Sequence, residues 1–138
     1  KLGLSVILVT HDISVVAYVC DYVVVMYAGK VVESGPVADV LDNPSHPYTM
    51  GLYNAFPELA GEDRELSPIE GSPPDLLNPP KGCRFRARCP FALDACAEDP
   101  VEHIVGEGHL AYCHRATEAK DLRETAKRTA TWVGVTSE

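Results

Sequence analysis

The chain has 138 residues, a formal net charge of −8, a pI near 5.0 and 46% hydrophobic residues. This size and composition fit one globular domain or slightly more. The acidic balance argues against a nucleic-acid partner, because contact with phosphates needs a basic surface. No apolar run approaches the roughly 20 residues of a membrane-spanning helix, so we expect no direct membrane span.

The first strong pattern is an apolar run that ends on a histidine. The continuous apolar residues Val6 to Val9 predict a strand that is buried on both faces of a parallel sheet. The run ends at Thr10-His11-Asp12, and open α/β sheets place their ligand chemistry at the carboxyl ends of such strands. His11 is therefore a candidate site residue, and Asp12 is predicted to cap the next helix. Because such a strand cannot fold alone, we expect most of its sheet to precede residue 1.

A helix and a β-hairpin are predicted next. Apolar residues recur at near-helical spacing from Ile13 to Cys20. Two apolar segments then flank Ala28-Gly29, a pattern that is typical of a hairpin in which the glycine adopts a positive φ.

Two further helices are predicted after the hairpin. The first spans residues 37–41 and the second spans residues 47–56. Pro47 suits the first helical position, where its missing N–H is not needed, and Ser45 or His46 would provide the cap. We interpret the His-Pro-Tyr sequence mainly as this helix start.

The remainder of the chain shows less periodic sequence. Residues 57–80 are rich in proline and read as a linker. Residues 81–114 contain four cysteines and little regular pattern. Residues 115–131 predict an amphipathic helix, with one apolar stripe formed by Ala119, Leu122, Ala126 and Ala130.

Four of the five cysteines form a group: Cys83, Cys89, Cys96 and Cys113. Clustered cysteines favour a metal over disulfides where the compartment keeps thiols reduced. The spacing lacks the close pairs usual in zinc sites and is not a ferredoxin run. Spacing alone therefore leaves an iron–sulfur cluster, zinc and two disulfides open. Cys20 is expected to be a small buried hydrophobic residue.

These motifs resemble a known family. The segments LSVILVTHD and CDYVVVMYAGKVVESGP resemble the end of the nucleotide-binding subunit of ATP-binding cassette (ABC) transporters. The segment NPSHPYTMGL and the cysteine-bearing tail resemble the extension found in the oligopeptide/dipeptide importer branch. No G-x-x-x-x-G-K-[ST] phosphate loop is present. We therefore expect that this chain alone neither binds nor cleaves ATP.

The resemblance implies an α/β fold in three parts. The C-terminal end of an ABC nucleotide-binding domain would span 1–42, a helix and Pro-rich linker would span 43–80, and a small irregular cysteine-rich accessory domain with a C-terminal helix would span 81–138. His11 would contact the γ-phosphate of ATP and help order the attacking water, with Mg²⁺-bound ATP as substrate of the full-length protein.

The resemblance also implies a [4Fe–4S] cluster, with Cys83, Cys89, Cys96 and Cys113 as its ligands. Its negative charge would be offset by the basic residues Lys81, Arg84, Arg86 and Arg88.

The implied function is that of an ATP-hydrolysing subunit that powers peptide import. Its expected partners are a second ABC ATPase subunit and transmembrane permease subunits, which would hold it at the cytoplasmic face of the cell membrane. The alternative is a non-enzymatic metal-binding or regulatory module, in which the α/β part serves only as scaffold.

Overall fold

The computed structural model describes residues 3–56 and 66–135. Within these ranges the helices are α1 (Ile13–Val19), α2 (Val37–Asp42), α3 (Pro47–Ala55) and α4 (Ala119–Ala126). The strands are β1 (Tyr22–Tyr27), β2 (Lys30–Pro36), β3 (Glu102–Gly106) and β4 (His109–Tyr112). The strands form one antiparallel sheet in the order β1-β2-β4-β3.

The β1–β2 hairpin confirms the turn that the sequence predicts. The two strands pair antiparallel, from Tyr22 opposite Pro36 to Tyr27 opposite Lys30. The connecting residues Ala28 and Gly29 have φ values of 49° and 81°, as in the two-residue turns that match the natural twist of a hairpin. Alanine is disfavoured at positive φ by about 1–2 kcal/mol, so tertiary contacts must support this turn.

A second hairpin extends the sheet into the region where the sequence predicted little regular structure. Strands β3 and β4 pair antiparallel around a turn that contains Gly108, with φ at 66°. Strand β4 then pairs with β2, placing Glu33 opposite Ala111 and Ser34 opposite Leu110. One sheet therefore combines strands from both ends of the chain. The three-part division of the chain stays a prediction.

The predicted buried strand at Val6–Val9 is not formed in this structure. Residues 3–10 form no strand, and the side chains of Val6, Ile7 and Val9 are 84%, 93% and 92% exposed. A strand needs a neighbour to satisfy its backbone N–H and C=O groups. Within the described ranges, the sheet offers no partner to this segment.

The main core lies between the sheet, α3, α4 and the cysteine-bearing loops. Its two large central side chains, Phe85 and Trp132, are each 1% exposed. They are surrounded by Val25, Tyr27, Val32, Val40, Met50, Phe91, Ala119, Leu122 and Ala126. A smaller cluster of Ile13, Val37 and Leu41 joins α1 to α2. The result is a mixed helix and sheet fold, and its sheet is antiparallel rather than parallel.

The C-terminal helix is shorter than the sequence predicts. The α-helical part is Ala119–Ala126, with 3-10 turns at Ala116–Glu118 and Thr129–Trp132. Ala119, Leu122 and Ala126 are buried, as the stripe predicts, but Ala130 is exposed. The 3-10 turn instead buries Trp132, whose indole N–H donates to the carbonyl of Ala126 at 2.8 Å.

Of the predicted linker, residues 57–65 lie outside the described part, and residues 66–80 contain no helix or strand. Among the helices of residues 3–56 and 66–135, none is long and apolar enough to cross a membrane.

Candidate functional site

His11 lies at the surface, directly before the first helix. Its side chain is exposed. Asp12 is the N-cap of α1, and its carboxylate accepts hydrogen bonds from the backbone N–H groups of Ser14 and Val15 at 2.9 and 3.3 Å. The predicted capping role of Asp12 is thus confirmed. His11 thus lies exposed directly before α1, and an imidazole can donate a hydrogen bond to an anionic oxygen.

The four grouped cysteines lie near one another in the folded chain. The backbone N–H of Cys83 donates to the carbonyl of Cys96 at 3.0 Å. Besides burial, the charges of other cysteines in the group raise the pKa of the Cys83, Cys89 and Cys113 thiols. Cys96 and Cys113 are buried, whereas Cys83 and Cys89 are half-buried. All five cysteines are free thiols, so neither of the disulfides left open by the spacing is formed.

The prediction of an iron–sulfur cluster is wrong. Among residues 3–56 and 66–135, no group of three or more His, Cys, Asp or Glu side chains is arranged to hold a metal ion. Burial raises the pKa of the Cys83 and Cys89 thiols and raises that of Cys113 to about 11. Metal ligation needs thiolates, and these surroundings favour the neutral thiols. The thiols instead pack against the hydrophobic core.

Arg84 and Arg88, two of the basic residues near the cysteines, hold loops together. The Arg84 guanidinium donates from Nη1 to the carbonyl of Ala28, which supports the strained turn of the first hairpin. Arg88 donates to the carbonyls of Ile69 and Glu70 at 2.9 and 2.8 Å. These contacts fix the Pro-rich segment to the cysteine-bearing loop. This role replaces the predicted one, which was to offset a cluster's charge.

A buried polar centre joins β2, the start of α3 and β4, and local sequence patterns did not predict it. The side chain of Glu33 is 0% exposed. Its carboxylate accepts hydrogen bonds from the backbone N–H groups of Ser45 and His46 at 2.7 and 2.9 Å, and from His109 Nε2 at 2.7 Å. The one available signal was an acidic residue, Glu33, directly after two valines in a predicted strand. Its partner His109 could be identified only from the fold.

The His-Pro-Tyr sequence forms a helix start, as predicted. His46 is the N-cap of α3, and its Nδ1 accepts a hydrogen bond from the backbone N–H of Tyr48 at 3.0 Å. The ring of Tyr48 packs against the rings of Tyr27 and Phe85, with centroid distances of 4.7 and 5.4 Å. The motif therefore seats α3 on both the first hairpin and the cysteine-bearing loop.

Comparisons with known proteins identify relatives of this chain. Residues 32–96 match the family described as oligopeptide/dipeptide transporter, C-terminal region. The oligopeptide transport ATP-binding protein OppD of Salmonella typhimurium is 46% identical over 114 residues, which cover 83% of this chain and 34% of the relative. The dipeptide transport ATP-binding protein DppD of Bacillus subtilis is 48% identical over 114 residues, which cover 82% of this chain and 34% of the relative.

The chain thus spans about a third of the length of the curated relatives it matches. The resemblance predicted from the sequence motifs is confirmed by both kinds of comparison. The chain therefore belongs to the ATP-binding proteins of oligopeptide/dipeptide ABC transporters and corresponds to their C-terminal region.

Proposed function

We propose that this chain is part of an ATP-hydrolysing subunit that powers peptide import, and that His11 acts at the γ-phosphate of ATP. The observation that carries the proposal is the position of His11. It is exposed, it follows an apolar segment, and it immediately precedes a helix capped by Asp12. The names of the relatives, which are oligopeptide and dipeptide transport ATP-binding proteins, supply the substrate class.

The exposed apolar segment before His11 supports a larger nucleotide-binding domain. Val6, Ile7 and Val9 are almost fully exposed, although burying such a side chain stabilises a protein by about 1.5–3 kcal/mol. About two thirds of each relative's length lies outside the part that this chain covers. We assign this segment to a sheet formed with that remaining part, where it would become the buried strand that its sequence predicts.

In that setting, His11 would sit at the carboxyl end of a sheet strand. Its imidazole would donate a hydrogen bond to a γ-phosphate oxygen and help order the attacking water. The phosphate loop and the carboxylate that complete the reaction, together with Mg²⁺-bound ATP, belong to the part of the subunit outside this chain. His11 is thus one positioned donor within a larger site.

The proposed partners follow from the same function. A second ATP-binding subunit would complete the hydrolytic unit, and transmembrane permease subunits would couple it to peptide movement at the cytoplasmic face of the membrane. The alternative of a metal-binding module loses its main support, because the described residues contain no group that is arranged to hold a metal.

The experiment is the His11→Ala substitution in the full-length subunit. Loss of one positioned transition-state donor should lower ATP turnover by about 10²-fold or more, whereas ATP binding should change little. His103→Ala is the matched control, because His103 lies on the edge strand β3 and has no part in the proposed site. Unchanged turnover in the His11 variant would show that His11 takes no part in ATP hydrolysis.

A further inference from the structure

His46 carries a buried hydrogen-bond donor on its imidazole ring. Its side chain is 1% exposed, and its Nδ1 accepts from the backbone N–H of Tyr48. An imidazole that accepts at Nδ1 carries its proton on Nε2. Within the described part of the chain, this Nε2 has no hydrogen-bond partner. Burial also lowers the pKa of His46 to about 3, so the ring stays neutral and keeps this one donor.

Arg84 carries a second buried donor of the same kind. Its Nη1 donates to the carbonyl of Ala28 and anchors the side chain. Its Nε is buried and, among the residues that the structure describes, also lacks a partner. An unsatisfied buried donor costs about 1–3 kcal/mol, so each of these two donors calls for an acceptor.

Both residues line the same small cavity. The cavity has a volume of about 20 Å³ and lies where α3, the first hairpin and the cysteine-bearing loop meet. Gly82 and Cys83 also line it. A site needs roughly 10–15 Å³ and two to four polar partners to hold a water molecule. The volume suits one water and excludes a larger ligand.

We propose that this cavity binds one ordered water molecule, which accepts hydrogen bonds from His46 Nε2–H and Arg84 Nε–H. The two lone pairs of a water oxygen match the two donors in number. Its hydrogens then face the rest of the lining, which includes the Cys83 sulfur, a weak acceptor. The water joins the start of α3 to the cysteine-bearing loop, at a point separate from the Glu33 carboxylate.

A crystal structure of the full-length subunit at about 1.5 Å resolution tests the proposal. We expect a single water oxygen within about 3.2 Å of both nitrogen atoms. A dry cavity, an ion in the same place, or a protein acceptor on His46 Nε2 would overturn the proposal.

Two variants and one solution measurement sharpen the test. Arg84→Lys removes Nε, and the water should be lost or displaced from His46. Arg86→Lys makes the same chemical change at an exposed position of the same loop and should leave the water in place. In ¹⁵N spectra of the unmodified subunit, His46 should show the tautomer protonated on Nε2. Protonation on Nδ1, or a water that persists unchanged in the Arg84 variant, contradicts the proposal.

Discussion

Glu33 and His109 are 76 residues apart in sequence, yet their side chains form a buried hydrogen bond of 2.7 Å between Oε1 and Nε2. The same carboxylate accepts the backbone N–H groups of Ser45 and His46 at the start of α3. Three donors from two distant parts of the chain thus converge on one side chain. The contact fixes β4 and α3 to the first hairpin, so its loss should affect the whole arrangement.

Replacing Glu33 with glutamine should destabilise the fold. The amide keeps one oxygen acceptor but directs its own N–H groups toward the donors that the carboxylate satisfied. We expect the free energy of unfolding to fall by about 1–3 kcal/mol, measured by urea denaturation. Glu98→Gln is the control: Glu98 is exposed, and such surface changes usually stay within about 0.5 kcal/mol. Equal effects of the two substitutions would contradict the assigned role of Glu33.

Local signals in the sequence predicted the local structure well. Ala28-Gly29 defined the hairpin, Asp12 defined the start of α1, and His46-Pro47 defined the start of α3. Each of these signals depends on the conformational preferences or hydrogen bonds of neighbouring residues. They therefore act whatever the rest of the chain does.

Features that depend on distant residues were not predicted. The strands β3 and β4 are short, and their place in the sheet depends on pairing with β2, about 80 residues earlier in the chain. The Glu33–His109 contact depends on that pairing. The apolar segment at Val6–Val9 forms no strand here for the same reason, because a strand needs a partner as well as a suitable sequence.

The cysteines show the same distinction. Their closeness in sequence correctly suggested closeness in space for Cys83 and Cys96. Spacing carries no information about burial, however, and burial favours neutral thiols at Cys83, Cys89 and Cys113. The iron–sulfur prediction failed because spacing does not show whether side chains converge, and the described residues contain no group arranged to hold a metal ion.

His46 should make the fold sensitive to acid. Burial lowers its pKa from 6.5 to about 3, so between these values the unfolded chain binds a proton that the folded chain does not. The stabilisation is fully present above pH 6.5 and is lost as the pH falls toward 3, by up to about 1.4 kcal/mol per pH unit. Urea denaturation at a series of pH values measures this slope.

The matched variant is His46→Asn. Asparagine is a favourable N-cap and retains a side-chain acceptor for the start of α3, but it does not titrate. Below pH 6.5, the free energy of unfolding of the variant should therefore fall less steeply with pH. The difference in slope corresponds to the uptake of about one proton on unfolding. Parallel curves for the two proteins would show that His46 is not the residue responsible.

Gly82→Ala should disrupt the cysteine-bearing loop. Gly82 has φ at 74°, and an added Cβ would lie 2.5 Å from the backbone of Ala97 and from the carbonyl of Cys96. Gly134→Ala separates this clash from backbone strain, because Gly134 has φ at 72° and nothing within 4 Å of its Cβ position. The Gly134 variant should lose about 1–2 kcal/mol from strain alone. In the same thermal unfolding assay, the Gly82 variant should lose clearly more stability than the Gly134 variant. Similar losses in the two variants would contradict the close packing around Gly82.

Cys113 should react slowly with alkylating reagents while the chain is folded. Burial raises the pKa of its thiol from 9.0 to about 11, and only the thiolate is the nucleophile. At pH 8 this shift lowers the thiolate fraction by about 100-fold. Iodoacetamide labelling followed by mass spectrometry measures the rate at this residue in the native chain and in the urea-unfolded chain.

The unfolded chain is the appropriate control, because it has the same residue and the same neighbours in sequence. A rate for native Cys113 at least 100-fold below its unfolded rate agrees with a neutral, buried thiol. A native rate close to the unfolded one means that Cys113 is an accessible thiolate, a state that its packing beside Ala111 and Ala116 does not favour.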